Sequence, residues 1–160
     1  MMKVKIAYDN VAEPPYEKGW GFSAIVELED EKILFDTGWD GLLLLSNLGK
    51  MDFDIEEADK IFISHSDWDH VGGISCIKGL NSTDLYVPKS LSKNMKGELK
   101  DRFKLHEIEK LQEISDRVWT TGELGEDPKE QSLVVETSKG LVVVVGCSHP
   151  GVRQILNTAS

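Results

Sequence analysis

Hydrophobic and polar residues alternate at the start of the chain and then give way to short apolar runs separated by polar turns. The alternation over residues 3–9 predicts a half-buried strand. The stretch 10–21 is rich in Pro, Glu and Gly and predicts a loop. Apolar runs at 22–28 and 33–35 flank the polar turn at 29–32 and predict two strands of a hairpin. We therefore expect the chain to open with antiparallel strands.

Helical and strand patterns alternate through the rest of the chain. Helices are predicted at residues 42–48, 71–78, 105–114 and 151–158. Strands are predicted at residues 61–63, 85–87 and 118–120, and a hairpin at 133–136 and 141–145. The strand at 61–63 is wholly apolar, which suits a central, buried position. The mixed order of hairpins and helices predicts an α/β or α+β fold built in layers.

Four side chains that can hold a metal ion follow directly after the predicted strand at 61–63. They are His65, Asp67, Asp69 and His70, and imidazole and carboxylate are ligand types suited to Zn, Fe or Mn. Positions 65, 67 and 69 of an extended turn can converge on one side, while position 70 approaches from another angle. A polar turn with capping aspartates carries similar residues, but four ligand-type side chains behind a buried strand favour a site for two neighbouring ions.

Another histidine, His149, stands in a Gly-bounded turn after the apolar run 141–145. In isolation it would more often cap a helix or pack, but its equivalent place at a strand end favours a ligand. His106 lies in a charged segment and is expected to be a solvated surface residue. Asp36 follows the strand at 33–35, where it can orient a ligand imidazole or cap a turn. The sequence does not decide between these two roles.

The amino-acid composition indicates which partners and which cellular compartment to expect. The 28 acidic and 18 basic side chains give a formal charge of −10, and an acidic surface repels the phosphate backbone of nucleic acids. No apolar run approaches the roughly 18 residues that span a bilayer, and no targeting segment is evident, so we expect a cytoplasmic protein without a membrane partner. Cys76 and Cys147 lie in apolar segments and are expected to be small buried thiols.

These motifs resemble those of the metallo-β-lactamase superfamily. The superfamily carries His-x-His-x-Asp-His after a hydrophobic strand, and an upstream Phe-Asp-Thr-Gly. The matching segments here are residues 65–73 and 35–38. Further segments are similar to the ribofuranosylaminobenzene phosphate synthase-like branch, and they lie at residues 20–24, 121–123, 130–134 and 146–151. The similarity extends over about residues 4–156.

The resemblance implies a four-layer αββα sandwich with a dinuclear metal site at one edge of its two sheets. It also implies hydrolysis by a metal-bound hydroxide, with one or two divalent ions (Zn, Fe or Mn) as cofactor. By position, His65 and Asp67 would serve the first ion, and Asp69 and His70 the second. Asp69 would also handle protons, as the catalytic residue, and His149 would be a further ligand.

The sequence departs from the family pattern at two points. Asp67 stands where the superfamily usually has a second histidine, and the harder carboxylate donor shifts preference towards Mn or Fe. Family members also continue past the Gly-Cys-Ser-His element to a late histidine that this sequence lacks. We therefore expect a single domain over residues 1–160 without the family's C-terminal strand and helix segment. An apolar sheet face left uncovered in this way favours a homo-oligomer or a partner subunit.

Three functions are compatible with these features. The first is an enzyme, a metal-dependent hydrolase of a small phosphorylated or ester-type metabolite. The alternative is a catalytically impaired metal-binding or interaction module, which Asp67 and the missing late histidine favour. A nuclease is third, and the formal charge of −10 counts against it.

Overall fold

Two β-sheets form the centre of the molecule, which the computed structural model describes for residues 2–78 and 80–160. In this part of the chain the first sheet has six strands, which are β1 (Lys3–Tyr8), β2 (Ser23–Glu27), β3 (Lys32–Phe35), β4 (Lys60–Phe62), β5 (Leu80–Pro88) and β6 (Phe103–Ile108). The second sheet has four, which are β7 (Lys110–Ser115), β8 (Val118–Gly122), β9 (Leu133–Thr137) and β10 (Gly140–Val144).

Strand order in the first sheet follows the chain, from β1 to β6. β1, β2 and β3 pair in antiparallel fashion, and β3, β4, β5 and β6 pair in parallel. The second sheet is antiparallel throughout, in the order β10-β9-β8-β7. The chain thus opens with antiparallel strands, as predicted, and β4 occupies the central position predicted for its apolar sequence.

Side chains of the first sheet are buried on both of its faces. In β4, Ile61 belongs to the apolar cluster beneath the helices, whereas Phe62 belongs to the cluster between the two sheets. Leu34 and Phe35 of β3 divide in the same way. Because neighbouring positions of a strand point to opposite faces, a sheet covered on both sides has strands that read as continuous apolar runs.

Helices cover the outer face of each sheet. Those of the described residues are α1 (Gly41–Lys50), α2 (Trp68–Val71), α3 (Lys93–Lys100) and α4 (Val152–Ala159), with 3-10 turns at Ile55–Glu57 and Gly72–Cys76. Leu44 of α1 and Leu99 of α3 pack into the cluster on the first sheet. Ile155 of α4 is buried beside β8 and β10 of the second sheet. The layers therefore run helix, sheet, sheet, helix, which confirms the αββα prediction.

The helix predicted at residues 105–114 is wrong. The chain there forms β6, which pairs in parallel with β5, and then β7, which pairs with β8. A charged segment with spaced apolar residues has weak intrinsic preference, and pairing with an existing strand overrides it. His106 accordingly lies on a strand, where its ring stacks on Tyr86 with the centroids 4.7 Å apart and its Nε2 pairs with Asp84. With 34% of its side chain exposed, it is partly buried rather than solvated.

Other surface features bear on the expected compartment and partners. No helix of residues 2–78 or 80–160 is long and apolar enough to cross a membrane. Apolar side chains are exposed on the side of the second sheet, at Leu141 and Val142 of β10 and at Leu156 of α4. Association with a second copy or a partner subunit stays a prediction.

Candidate metal centre

The site lies where strands of both sheets end. β3 and β4 are parallel neighbours, so Asp36 and the segment beginning at Ser64 leave the first sheet at the same edge. The turn after β10 reaches this edge from the second sheet and approaches so closely that a Cβ at Gly146 would lie 2.5 Å from Ser64 Oγ. Close approach of the two strand ends brings His65 and His149 together, with their ring centroids 4.9 Å apart.

Asp36 is the buried acceptor at the base of the site. Its Oδ1 accepts the backbone N–H of Ser64 at 2.7 Å, and its Oδ2 accepts both the Ser64 hydroxyl and His70 Nδ1, each at 2.7 Å. The residue is fully buried and holds a left-handed backbone conformation, with φ of 56°. Asp36 therefore orients a histidine of the site, which decides between the two roles that the sequence left open.

Hydrogen bonding also fixes the tautomer of His65. The Ser64 hydroxyl has one proton, which it donates to Asp36, so its oxygen accepts the proton on His65 Nδ1 at 2.8 Å. His65 Nε2 is then unprotonated, with its lone pair directed into the site. This buried nitrogen has no hydrogen-bond partner. Because a buried polar atom without a partner is costly, the site is shaped to accept a group at Nε2.

Electrostatic surroundings keep the two buried imidazoles in different states. Burial, reinforced by the nearby His70 and His149, lowers the pKa of His65 to about 3, so its ring is neutral at physiological pH. Burial also acts to lower the pKa of His70, but the hydrogen bond and charge of Asp36 outweigh it and raise that pKa above its usual value. The protonated form of His70 is thereby favoured, with its Nδ1 paired to Asp36 Oδ2 at 2.7 Å.

One group of donors forms around Asp67. Its Oδ2 lies 3.5 Å from His65 Nε2 and 3.5 Å from His149 Nε2. Cys147 is also within reach, because one ligand atom each from His65, Cys147 and His149 lie within 4.8 Å of one another. These side chains follow strands of both sheets: His65 and Asp67 follow the first, and Cys147 and His149 follow the second.

A second group of donors forms around His70. Its Nε2 lies 3.1 Å from Cys147 Sγ and 3.6 Å from Asp69 Oδ2. Cys147 is exposed as a residue, which corrects the prediction of a buried thiol, although its sulfur lies against the imidazole of His70. Partial burial of that sulfur, together with the charges of Asp69 and Glu130, raises the pKa of the thiol to about 11. Cys76 is partly exposed and unpaired.

Residues between β8 and β9 hold the two loops of the site in place. The buried Glu130 accepts the backbone N–H groups of Ser148 and His149, at 3.0 and 2.8 Å. The neighbouring Gln131 donates its backbone N–H to the carbonyl oxygen of Ser64 at 2.9 Å and its Nε2 to that of Ile63 at 2.8 Å. The site geometry thus depends on packing between the sheets.

The donor set fits metal ions. Two atoms bound at about 2.0–2.1 Å to one tetrahedral ion lie about 3.3 Å apart. The distances from Asp67 to its two histidines, and from His70 to Cys147 and Asp69, are 3.1–3.6 Å. The groups are adjacent, since the rings of His65 and His70 have centroids 4.2 Å apart. Imidazole, carboxylate and thiolate groups are the usual ligands of zinc and iron.

All five residues predicted as ligands come together at this edge of the sheets. They are His65, Asp67, Asp69, His70 and His149. Sequence reasoning missed Cys147, although it stands two residues before His149 in the same Gly-bounded turn. It also missed Ser64 and Glu130, whose roles depend on contacts across the fold and carry no local signal.

Comparison with models of protein families shows which family this chain belongs to. The family model described as the metallo-beta-lactamase superfamily matches residues 20–158. The chain belongs to the metallo-beta-lactamase superfamily. The match includes every residue of both donor groups, which are thus placed within the superfamily's own domain.

One solved structure and two curated proteins are also similar to this chain. The structure of Tm1679, a metal-dependent hydrolase of the beta-lactamase superfamily, aligns with a TM-score of 0.81 and 26% identity, over 98% of this chain and 70% of that one. An uncharacterized protein of Methanocaldococcus jannaschii is 24% identical over 96% of this chain and 72% of its own length.

The second curated protein similar to this chain is also from Methanocaldococcus jannaschii. It is 7,8-dihydropterin-6-methyl-4-(beta-D-ribofuranosyl)-aminobenzene-5'-phosphate synthase, which is 25% identical. The alignment covers 86% of this chain but 64% of the synthase, so the chain spans less than two thirds of that relative's length. The similarity to a ribofuranosylaminobenzene phosphate synthase is therefore confirmed as a distant one.

Proposed function

We propose that this chain is a metal-dependent hydrolase that acts on a small phosphorylated or ester-type metabolite. The observation that carries the proposal is the pair of adjacent donor groups, with His65 Nε2 buried, unprotonated and without a partner between them. Relatives named as a metal-dependent hydrolase and as a synthase of a phosphate-bearing product support the reaction class and the substrate class.

His65, Asp67 and His149 would hold one ion, and Asp69, His70 and Cys147 the other. Bound divalent ions supply Lewis acidity towards the scissile group and lower the pKa of water at neutral pH. Asp36 keeps Nε2 of both imidazoles directed at this position, through Ser64 for His65 and directly for His70. The protein thereby fixes the coordinating atoms before substrate arrives.

Asp69 is the side chain proposed to move the proton. Its Oδ2 lies 3.6 Å from His70 Nε2, and 19% of its side chain is exposed, so the carboxylate faces both the donor groups and solvent. We propose that it accepts a proton from the attacking water and returns one to the leaving oxygen. General-base assistance of this kind contributes about 10²–10⁴-fold to rate.

Cys147 changes the expectation for metal identity. The carboxylate of Asp67 favours Mn or Fe, but a thiolate is a soft ligand that favours Zn or Fe over Mn. We propose that the group containing His70 and Cys147 selects Zn or Fe, and that any Mn is confined to the group containing Asp67. Metal analysis by plasma mass spectrometry on protein purified without chelator would identify the ions.

Metal content and hydrolysis test the proposal when they are measured on the same variants. The unaltered protein is expected to bind about two ions per chain and to hydrolyse a 4-nitrophenyl phosphate ester or carboxylic ester. His65→Ala and His70→Ala should lose both properties. His106→Ala is the matched control, because this histidine lies on β6 and pairs with Asp84, outside both donor groups.

Two results would contradict parts of the proposal. Full metal content without turnover of any ester would leave a metal-binding module and reject the hydrolase. Hydrolysis that persists in His65→Ala and His70→Ala would show that the activity does not come from this site.

A further inference from the structure

Three of the four tryptophans lie on the surface. Trp20 is 64% exposed, Trp39 is 50% exposed and Trp68 is 59% exposed. Indole is large and apolar, so its exposure at these three positions leaves a substantial area that a bound molecule can cover. We refer to these three side chains as the aromatic rim.

Backbone contacts attach the aromatic rim to the candidate metal centre. Trp68 stands between Asp67 and Asp69 in the chain. The residue after Trp20 is Gly21, where a Cβ would lie 1.9 Å from the carbonyl oxygen of Asp69. That same oxygen accepts the backbone N–H of Phe22 at 3.1 Å. The loop that carries Trp20 therefore packs directly against the segment that carries Asp69 and His70.

Trp39 is attached to the same segment from the other side. A Cβ at Gly72 would lie 2.7 Å from the Trp39 carbonyl oxygen. Nearby, the backbone N–H of Thr37 donates to the carbonyl oxygen of His70 at 2.7 Å, and that of Gly73 donates to the carbonyl oxygen of Gly38 at 2.9 Å. The backbone at Trp39 is consequently held in place relative to the proposed ligands.

The indoles of Trp20 and Trp39 stack on each other. Their ring centroids are 5.3 Å apart and their planes differ by 15°. Such a stack engages one face of each ring and leaves the rest open, consistent with the exposure of both residues. The open face of each indole lies on the outer side of the stack, and such a flat face matches a flat ring better than a flexible acyl chain.

We propose that the aromatic rim binds a planar aromatic ring of the substrate and so makes the site selective for aromatic metabolites. This inference rests on the proposed function, since it assigns the ring to the molecule hydrolysed at the metal centre. The ring would stack on the exposed indole surface, while the scissile group lies at the donor groups beside Asp69. Trp119, in β8 of the second sheet, takes no part.

Binding of a neutral aromatic probe to chelator-treated protein tests this proposal without any turnover. The probe is naphthol, and its fully saturated counterpart decahydronaphthol is the matched control. The four indole N–H signals are followed by NMR, with assignments from single Trp→Phe variants. Naphthol should shift the signals of Trp20, Trp39 and Trp68 and leave that of Trp119 unchanged, whereas decahydronaphthol should shift none of them.

Substitutions at the stack measure its contribution. Trp20→Ala should weaken naphthol binding about 2–12-fold, the factor that corresponds to loss of one aromatic pair. Trp20→Phe should retain most of the affinity, and an unchanged Trp119 signal in both variants would verify that the fold is intact. Equal shifts with both probes, or no shift at the rim, would overturn the proposal. If naphthol binds the rim but the protein takes up no metal, the aromatic site stands and the hydrolase proposal fails.

Discussion

A single carboxylate at the end of β3 holds much of the candidate metal centre in place. Asp36 accepts three hydrogen bonds, two from Ser64 and one from His70, while it is fully buried with φ of 56°. A left-handed conformation is unfavourable for a residue with a Cβ and persists only where the surroundings fix it. Here the strained backbone aims the side chain beneath two imidazoles.

Asp36→Asn should weaken metal binding without removing any ligand. The amide nitrogen of asparagine cannot accept a hydrogen bond. At the position of Oδ2 it leaves both the Ser64 hydroxyl and His70 Nδ1 without an acceptor, and at the position of Oδ1 it leaves the Ser64 backbone N–H without one. Loss of such a supporting hydrogen bond lowers metal affinity about 10–100-fold. Competition with a chromogenic chelator would measure the change.

The matched control for that substitution is Asp84→Asn. Asp84 also pairs with a histidine, His106, but on the first sheet away from the donor groups. Its substitution should leave metal affinity unchanged. Equal losses of affinity in the two variants would indicate a general loss of stability and would remove the specific role assigned to Asp36.

Cys147→Ser should change the spectrum of the metal-loaded protein. With cobalt as a spectroscopic substitute, a thiolate ligand gives a charge-transfer band in the near ultraviolet, which a hydroxyl ligand does not. We expect the band in the unaltered protein and its loss in Cys147→Ser, because Cys147 Sγ lies 3.1 Å from His70 Nε2.

Cys76→Ser is the control for the cobalt spectrum, since Cys76 lies in the 3-10 turn Gly72–Cys76 and takes part in neither donor group of the described residues. The band should remain in that variant. A band that is absent from the unaltered protein would remove Cys147 from the proposed ligands.

At the scale of residues, proximity in sequence decided what could be predicted. His65, Asp67, Asp69 and His70 lie within six positions, so their meeting at one place follows from a single turn. Ser64 contacts Asp36 across 28 positions, and Cys147 contacts His70 across 77. Contacts of that range depend on how the sheets pack, and a single sequence does not specify them.

At the scale of elements, segments with a clear hydrophobic pattern were predicted correctly, whereas the segment with a weak pattern was not. The apolar runs of β2, β4, β9 and β10 were predicted close to their observed bounds. The segment that forms β6 and β7 alternates poorly, and β7 is largely exposed. What determines its conformation is pairing with β5 and β8, and no local pattern encodes a partner that lies elsewhere in the chain.

Gly73→Ala should destabilise the element that carries the metal-binding segment. A Cβ at this position would lie 2.0 Å from the carbonyl oxygen of Thr37, which belongs to the backbone and cannot rotate away. Overpacking of this kind costs about 1–3 kcal/mol in the free energy of unfolding. The midpoint of urea denaturation would therefore move to lower concentration.

Gly97→Ala is the matched substitution in α3. No atom lies within 4 Å of a Cβ there, and alanine is favoured over glycine in a helix by about 0.5–1 kcal/mol. The denaturation midpoint should rise. A similar fall for both variants would show that close approach at Gly73 is not the cause.

At the scale of the whole molecule, the candidate centre joins the two sheets. Asp69 and His70 follow the first sheet, whereas Cys147 and His149 follow the second. An ion bound by residues from both would therefore hold the sheets together, and the energy of binding would add to the stability of the folded state.

Metal removal should accordingly lower the unfolding temperature. A free ion at about 100 times its dissociation constant adds about 2.7 kcal/mol to the free energy of unfolding. Differential scanning calorimetry with zinc and with chelator would measure the shift. His149→Ala should reduce the shift, and His106→Ala should retain it. An unfolding temperature that is the same with zinc and with chelator would show that no ion bridges the sheets.

The division of the donors between the sheets also has a consequence for biosynthesis. A chain leaves the ribosome from its N-terminus, so Asp36, His65 and His70 are available well before residues 130–149. A nascent chain could hold an ion with only part of the ligand set and would exchange it readily. Firm retention would begin only once Glu130 fixes the turn that bears His149, so synthesis of residues 130–149 would determine when an ion is held by donors from both sheets.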